Sequence, residues 1–144
     1  MSRAFAVAWF SKTGTGARIA QAVSLTILHA EDDPLVADAV RVALEAEGWR
    51  VKTCADGAAA LDELASPAPY DLLITDNELP RLKGLDLIGC VDMLRHRMRL
   101  PVVMLTASDC EREALKAGVS VFLRKPEGVG ELVPTIKRLL NRGA

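Results

Sequence analysis

The sequence predicts an α/β protein, a doubly wound parallel sheet of five strands with helices on both faces, and three observations predict it. Short apolar runs alternate with segments whose apolar residues recur at three and four, the spacing of a helix with one buried face. The runs at 72–75 and 102–105 carry almost no polar alternation, as befits strands covered on both sides. Turn and breaker residues separate each pair, and such βα alternation is the pattern of a parallel sheet.

The elements follow in order. Thr26 to Ala30 is a strand ending in the acids Glu31, Asp32 and Asp33. Leu35, Val36, Ala39, Val40, Ala43 and Leu44 then keep the helical period until Gly48, with Asp33 placed to cap that helix and Pro34 suited to its first turn. Residues 50–54 alternate with period two, and the alanine-rich 58–64 forms a helix that Ser66, Pro67 and Pro69 end. The third strand, 72–75, stops at Asp76; after a turn through Pro80 and Gly84, a helix is expected over 85–98. Pro101 resets the chain before the fourth strand, which ends at Thr106, and a short helix over 111–117 is closed by Gly118. The fifth strand, 121–124, ends at Lys125. Val129, Leu132, Val133, Ile136, Leu139 and Leu140 make the last helix, with Pro134 expected near its first turn.

At 144 residues, 50% apolar and 26% charged, the chain suits one domain with an ordinary core. A net charge of −1 gives no global field for nucleic acid or an anionic membrane. Cys54, Cys90 and Cys110 are an odd set without metal-ligand spacing and read as reduced, structural thiols. His29, His96 and Trp49 also read as structural or solvated. No run approaches the ~18 apolar residues of a membrane span, and the apolar stretch at 4–10 is too short and too soon interrupted by Lys12 for secretion. A cytoplasmic protein is expected.

Right-handed crossovers bring the carboxyl ends of parallel strands to one edge, which is where such sheets bind ligands. The acids after strand one, Asp76, Thr106 and Lys125 would therefore share one site. Their order and spacing, with Pro80 and Gly84 after Asp76, Ala107 after Thr106 and Pro126 after Lys125, resemble the receiver domain of two-component response regulators (CheY-like superfamily) over about residues 25–140.

The resemblance implies a flavodoxin-like (βα)5 fold with strand order 2-1-3-4-5. It implies that Asp76 is the phosphoacceptor, a carboxylate taking a phosphoryl group from a phosphohistidine. Mg²⁺ would be held by Glu31, Asp32, Asp76 and the backbone carbonyl of Glu78, in keeping with its preference for about six oxygens. Lys125 would pair with the phosphoryl oxygens and Thr106 would hydrogen-bond them, with Phe122 as an aromatic switch. The bond before Pro126 would be cis. Glu78 and Ser108 stand where the family tunes loss of the phosphoryl group.

Only 18 residues separate Thr106 from Lys125, about one helical turn fewer than in the usual receiver. The fourth helix should be short, and a monomer or a homodimer through another surface is expected. Residues 25–144 form the receiver; residues 1–24 are an extension of unknown role, with no acid, a Ser/Thr/Gly run and a helix-like stretch at 17–23. That stretch weakly resembles the start of flavodoxins, but one βα piece cannot bury a flavin.

The expected function is a stand-alone phosphoacceptor that modifies its own aspartate and is not a turnover enzyme. Its partners would be a histidine kinase or phosphotransfer protein and a downstream protein target, without nucleic acid or membrane. A receiver-like binding module that works without phosphorylation is the alternative, and a phosphohydrolase lacks a second acid-base group.

Overall fold

The computed structural model describes residues 24–141 in full and, before them, the backbone of two short strands, Phe5–Ala6 and Ala22–Val23, which pair antiparallel. The helix expected over 17–23 therefore ends in two extended residues; its remainder lies outside the described residues. The principal domain runs β1 (Thr26–Ala30), α1 (Pro34–Glu45), β2 (Arg50–Cys54), α2 (Gly57–Ala65), β3 (Leu72–Thr75), α3 (Gly84–Val91), a 3-10 turn (Arg95–Arg97), β4 (Val102–Thr106), α4 (Glu111–Lys116), β5 (Val121–Arg124) and α5 (Glu127–Asn141).

All five strands are parallel, in the order β2-β1-β3-β4-β5 expected from the sequence. Alternation along the central strands divides the core into two layers. Leu28, Ala30, Leu73 and Met104 face α2, α3 and α4, where they meet Ala60, Leu64, Leu87, Ile88, Val91 and Ala114. Ile27, Ile74, Val103 and Leu105 face α1 and α5, where they meet Val40, Leu44, Leu132 and Ile136. Trp49 is buried in this second layer. Each large side chain so covered contributes roughly 1.5–3 kcal/mol.

Register sets the functional edge. Ala30 lies opposite Thr75, so the residues that follow them, Glu31 and Asp76, leave adjacent strands side by side. Two further bonds hold the strand ends level, from the Asp76 amide to the Ala30 carbonyl at 3.1 Å and from the Lys125 amide to the Thr106 carbonyl at 3.0 Å.

Within the principal domain two elements differ from the sequence expectation. The helix expected over 85–98 stops at Val91, and the chain turns through an extended Leu94 into the 3-10 turn. Arg97 accounts for the break: its guanidinium is buried and donates to the carbonyls of Leu64, Ser66 and Ala68 at the end of α2, and it lies 5.4 Å from the Tyr70 ring centroid. Continuing α3 would forfeit those bonds. His96 Nε2 shares the Leu64 and Ser66 carbonyls at 3.0 Å, so its role is structural. Pro134 sits inside α5 and not in its first turn. Pro134 and Gly130, whose carbonyl loses its usual helical donor, are both exposed, so that carbonyl is open to water.

Candidate functional site

The acids following β1 diverge in environment. Glu31 is 2% exposed, whereas Asp32 and Asp33 are exposed. Asp33 caps α1, its Oδ1 accepting from the Leu35 amide at 2.9 Å with Pro34 at the start of the helix. Glu31 Oε2 accepts from the Asp33 amide at 3.1 Å, which holds the acidic turn against the sheet.

Asp76 is 5% exposed. Its Oδ1 accepts from the amides of Asn77 at 2.6 Å and Glu78 at 3.2 Å. The other oxygen, Oδ2, accepts from Lys125 Nζ at 2.7 Å. The same ammonium donates to Glu31 Oε2 at 3.1 Å and lies 2.9 Å from Oε1, and the Lys125–Pro126 bond is cis.

The electrostatics follow from crowding. Burial pushes the Glu31 carboxyl above the ordinary glutamate value, although its bonds to Lys125 and to the Asp33 amide pull the other way. Burial opposes the charge on Lys125, but hydrogen bonds to Asp76 and Glu31 outweigh it and hold the ammonium above its ordinary value. His29, on β1 behind the site, is fully buried and not solvated. Burial, then the charge of Lys125, lowers it to about 4 against the opposing pull of Asp76, so the imidazole is neutral at pH 7.

Thr106 is buried at the end of β4, its Oγ1 accepting from the Ser108 amide at 3.1 Å. Ser108 in turn donates its hydroxyl to Glu78 Oε2 at 2.6 Å, joining the β4–α4 loop to the Asp76 loop across the rim. Phe122 is half-buried against the α2, α3 and α4 side of the core, and Arg124 lies over its ring at 5.4 Å while reaching Asp109 at 3.2 Å and Glu111 at 3.7 Å. The fourth helix is short, six residues long.

Carboxylate oxygens of Glu31, Asp32 and Asp76 all lie within 4.8 Å of one another. One ammonium faces three acids, and Glu31 Oε1 is buried without a hydrogen bond among the described residues, despite its closeness to Lys125. Such an oxygen-only, charge-deficient set fits a small hard divalent cation.

Two residues that hold the site or its surroundings escaped the sequence reading. Asn77 beside Asp76 is buried and bonded on both its main chain and its side chain, and Arg97 pins the end of α2. Asn77 carries a signal only once the loop is known to fold back on α3; Arg97 stands in a run with Arg95, His96 and Arg99, and nothing in the sequence sets it apart.

The family model described as response regulator receiver domain matches residues 27–137. Response regulator protein PmrA of Pseudomonas aeruginosa is 40% identical over 122 residues, which make up 82% of this chain and 53% of that protein. SphR of Synechococcus elongatus, an alkaline phosphatase synthesis transcriptional regulatory protein, is 35% identical over 81% of this chain and 49% of its own length. The chain thus spans about half the length of these relatives. Among solved structures, the receiver domain of the sensor histidine kinase PA1611 from P. aeruginosa superposes with a TM-score of 0.73 at 29% identity, covering 80% of this chain and 96% of that one. That structure holds a magnesium ion coordinated in its active site cleft. Sheet order, the acidic edge and these matches agree, and the chain belongs to the response regulator receiver domain family.

Proposed function

We propose that the chain is a phosphoacceptor switch in which Asp76 receives a phosphoryl group from a histidine kinase or histidine phosphotransfer protein. The observation that carries this is the Asp76 carboxylate itself: Oδ1 is tied to two amides, while Oδ2 faces Lys125 at 2.7 Å. With Oδ1 occupied, Oδ2 attacks phosphorus, the N–P bond breaks, and its electron pair returns to the donor imidazole. Lys125 is placed to follow the phosphoryl oxygens, and the Thr106 hydroxyl to donate to them. Positioning and charge neutralisation do most of the work in such transfers.

Glu31, Asp32, Asp76 and the Glu78 carbonyl would hold Mg²⁺, which when bound neutralises the acids and the incoming phosphoryl oxygens. The chain is modified by this chemistry and turns over no separate substrate. Phosphorylation adds roughly 1.5–2 negative charges; drawing Thr106 inward leaves room for Phe122 and changes the face formed by α4 and β5. The Ser108 to Glu78 bond covers the rim above Asp76 and is suited to regulating access of water.

The donor would meet α1. Leu35 is 80% and Val42 60% exposed on one side of that helix, with the exposed Ala39 between them. An apolar stripe that starts beside the acidic turn suits the helical face of a histidine protein. Among the described residues no helix is long and apolar enough to cross a membrane; with three free cysteines, we assign the chain to the cytoplasm. Its expected freedom from nucleic acid concerns the receiver alone.

Intact-protein mass after incubation with acetyl phosphate, with and without Mg²⁺, tests the reading. A phosphoryl adduct that needs Mg²⁺ and is absent in Asp76→Asn is expected. A folded protein that never gains the adduct would instead indicate a receiver-like module that binds without phosphorylation.

A further inference from the structure

We propose that Asn77 is a positioning residue that fixes the orientation of the Asp76 carboxylate, an inference that rests on Asp76 being the phosphoacceptor. Asn77 is 6% exposed and bonds through four groups, its side-chain Nδ2 donating to Glu78 Oε2 at 3.4 Å. Its amide donates to Asp76 Oδ1 at 2.6 Å. Its carbonyl accepts from the amides of Leu79 at 3.0 Å and Gly84 at 2.9 Å. Its side-chain Oδ1 accepts from the Leu85 amide at 2.9 Å, eight residues along the chain.

The last of these bonds replaces a helix cap. Amides in the first turn of a helix lack an intrahelical acceptor, and Lys83, at the cap of α3, supplies no side-chain hydrogen bond. Asn77 satisfies Leu85 from the far side of the loop. The helix start is also in contact with the nucleophile's own backbone: a Cβ added at Gly84 would lie 2.1 Å from the Asp76 carbonyl oxygen and 2.9 Å from Asn77 Cα. α3 is thus a wall against residues 76 and 77, and the Asn77 side chain holds that wall in place.

Truncating the side chain leaves the Leu85 amide without its acceptor and frees the first turn of α3 to withdraw. The amides of Asn77 and Glu78 belong to the same turn, so the pair that clamps Oδ1 rotates with it and Oδ2 loses its aim. Misplacement of a reacting atom by about 1 Å can cost on the order of 10²-fold in rate.

The test is the rate of Asp76 phosphorylation by acetyl phosphate in the full chain at saturating Mg²⁺, with thermal stability measured alongside. Asn77→Ala is expected to lower the maximal rate at least tenfold and to leave half-saturating acetyl phosphate within twofold of wild type. Asn77→Asp keeps an oxygen for the Leu85 amide and should return the rate to within threefold of wild type. Tyr70→Phe removes the Tyr70 to Glu63 hydrogen bond, 2.7 Å long and between elements outside the site, and should cost stability without rate. Should Asn77→Ala not fold, Asn77→Ser, whose hydroxyl falls short of Leu85, replaces it under the same criteria.

An Asn77→Ala or Asn77→Ser rate within twofold of wild type overturns the inference while leaving Asp76 as acceptor, and so does an equal rate loss in Tyr70→Phe. A wild-type chain that takes no phosphoryl group overturns both.

Discussion

Replacing Lys125 with methionine should turn the acidic edge of the sheet into a cluster of uncompensated acids. The ammonium lies 2.7 Å from Asp76 and 2.9 Å from Glu31, and both carboxylates are at least 94% covered. Removing one partner of a buried pair typically costs about 3–5 kcal/mol. The lysine side chain is 15% exposed and Asp32 opens to solvent, so screening discounts this to about 2–3 kcal/mol. For a domain of this size that is a fall in Tm of roughly 8–12 °C.

Two conditions should repair the loss. Mg²⁺ at about 100 times its Kd adds about 2.7 kcal/mol by mass action, and it should stabilise Lys125→Met more than wild type because the divalent charge replaces the missing one. Acid should help too. A carboxyl whose folded pKa is raised costs stability above that value, and the cost disappears as pH falls below its unfolded value; Glu31 is such a group. Urea denaturation followed by far-ultraviolet circular dichroism, in EDTA and in Mg²⁺ at several pH values, measures all three effects. A variant as stable as wild type in EDTA, or one equally weakened in Mg²⁺, would show that Lys125 does not balance these acids.

Three further outcomes are expected. Apparent Mg²⁺ affinity, measured by calorimetric titration, should weaken as pH falls through the raised Glu31 value, above the range of an ordinary glutamate, because proton and metal compete for the carboxylate; a flat profile down to the ordinary range would speak against Glu31 as a ligand. Arg97→Met should lower stability by about 2–4 kcal/mol as carbonyls at the end of α2 lose a charged donor, with a smaller loss if His96 holds them alone, and a urea melt gives the figure. In Gly57→Ala the new Cβ would stand 1.9 Å from the Leu82 carbonyl oxygen, so the loop carrying Arg81 must shift; a cost of about 2 kcal/mol or more is expected, and an unchanged melting curve would mean that this loop yields freely.

Four of the five strands were legible because each is short, apolar and followed by a chemically distinctive residue, and the strand over 50–54 showed as period-two alternation. Register did the rest: Ala30 opposite Thr75 places Glu31 beside Asp76, a juxtaposition that alternation along the chain implies once the sheet is taken as parallel. The end of α3 was not legible. Periodicity continues past Val91, and what ends the helix is a tertiary bond set from Arg97 to carbonyls about thirty residues away. Pro134 misled for a related reason, since its cost depends on whether the neighbouring carbonyl can reach water. Asn77 needed the fold as well, because its acceptor role appears only when Leu85 is brought back over Asp76.

The six residues of α4 span only about 9 Å at 1.5 Å per residue. Isolated helices shorter than about 12–15 residues are marginal in water, so α4 exists by virtue of its anchors: Ala114 sunk in the core and Arg124 bridging to Asp109 and Glu111. Few and partly solvated, these anchors leave α4 cheap to open locally. The face beside the acidic edge is thereby close to local melting, and its amides should exchange with solvent well before those of β1, β3 and β4.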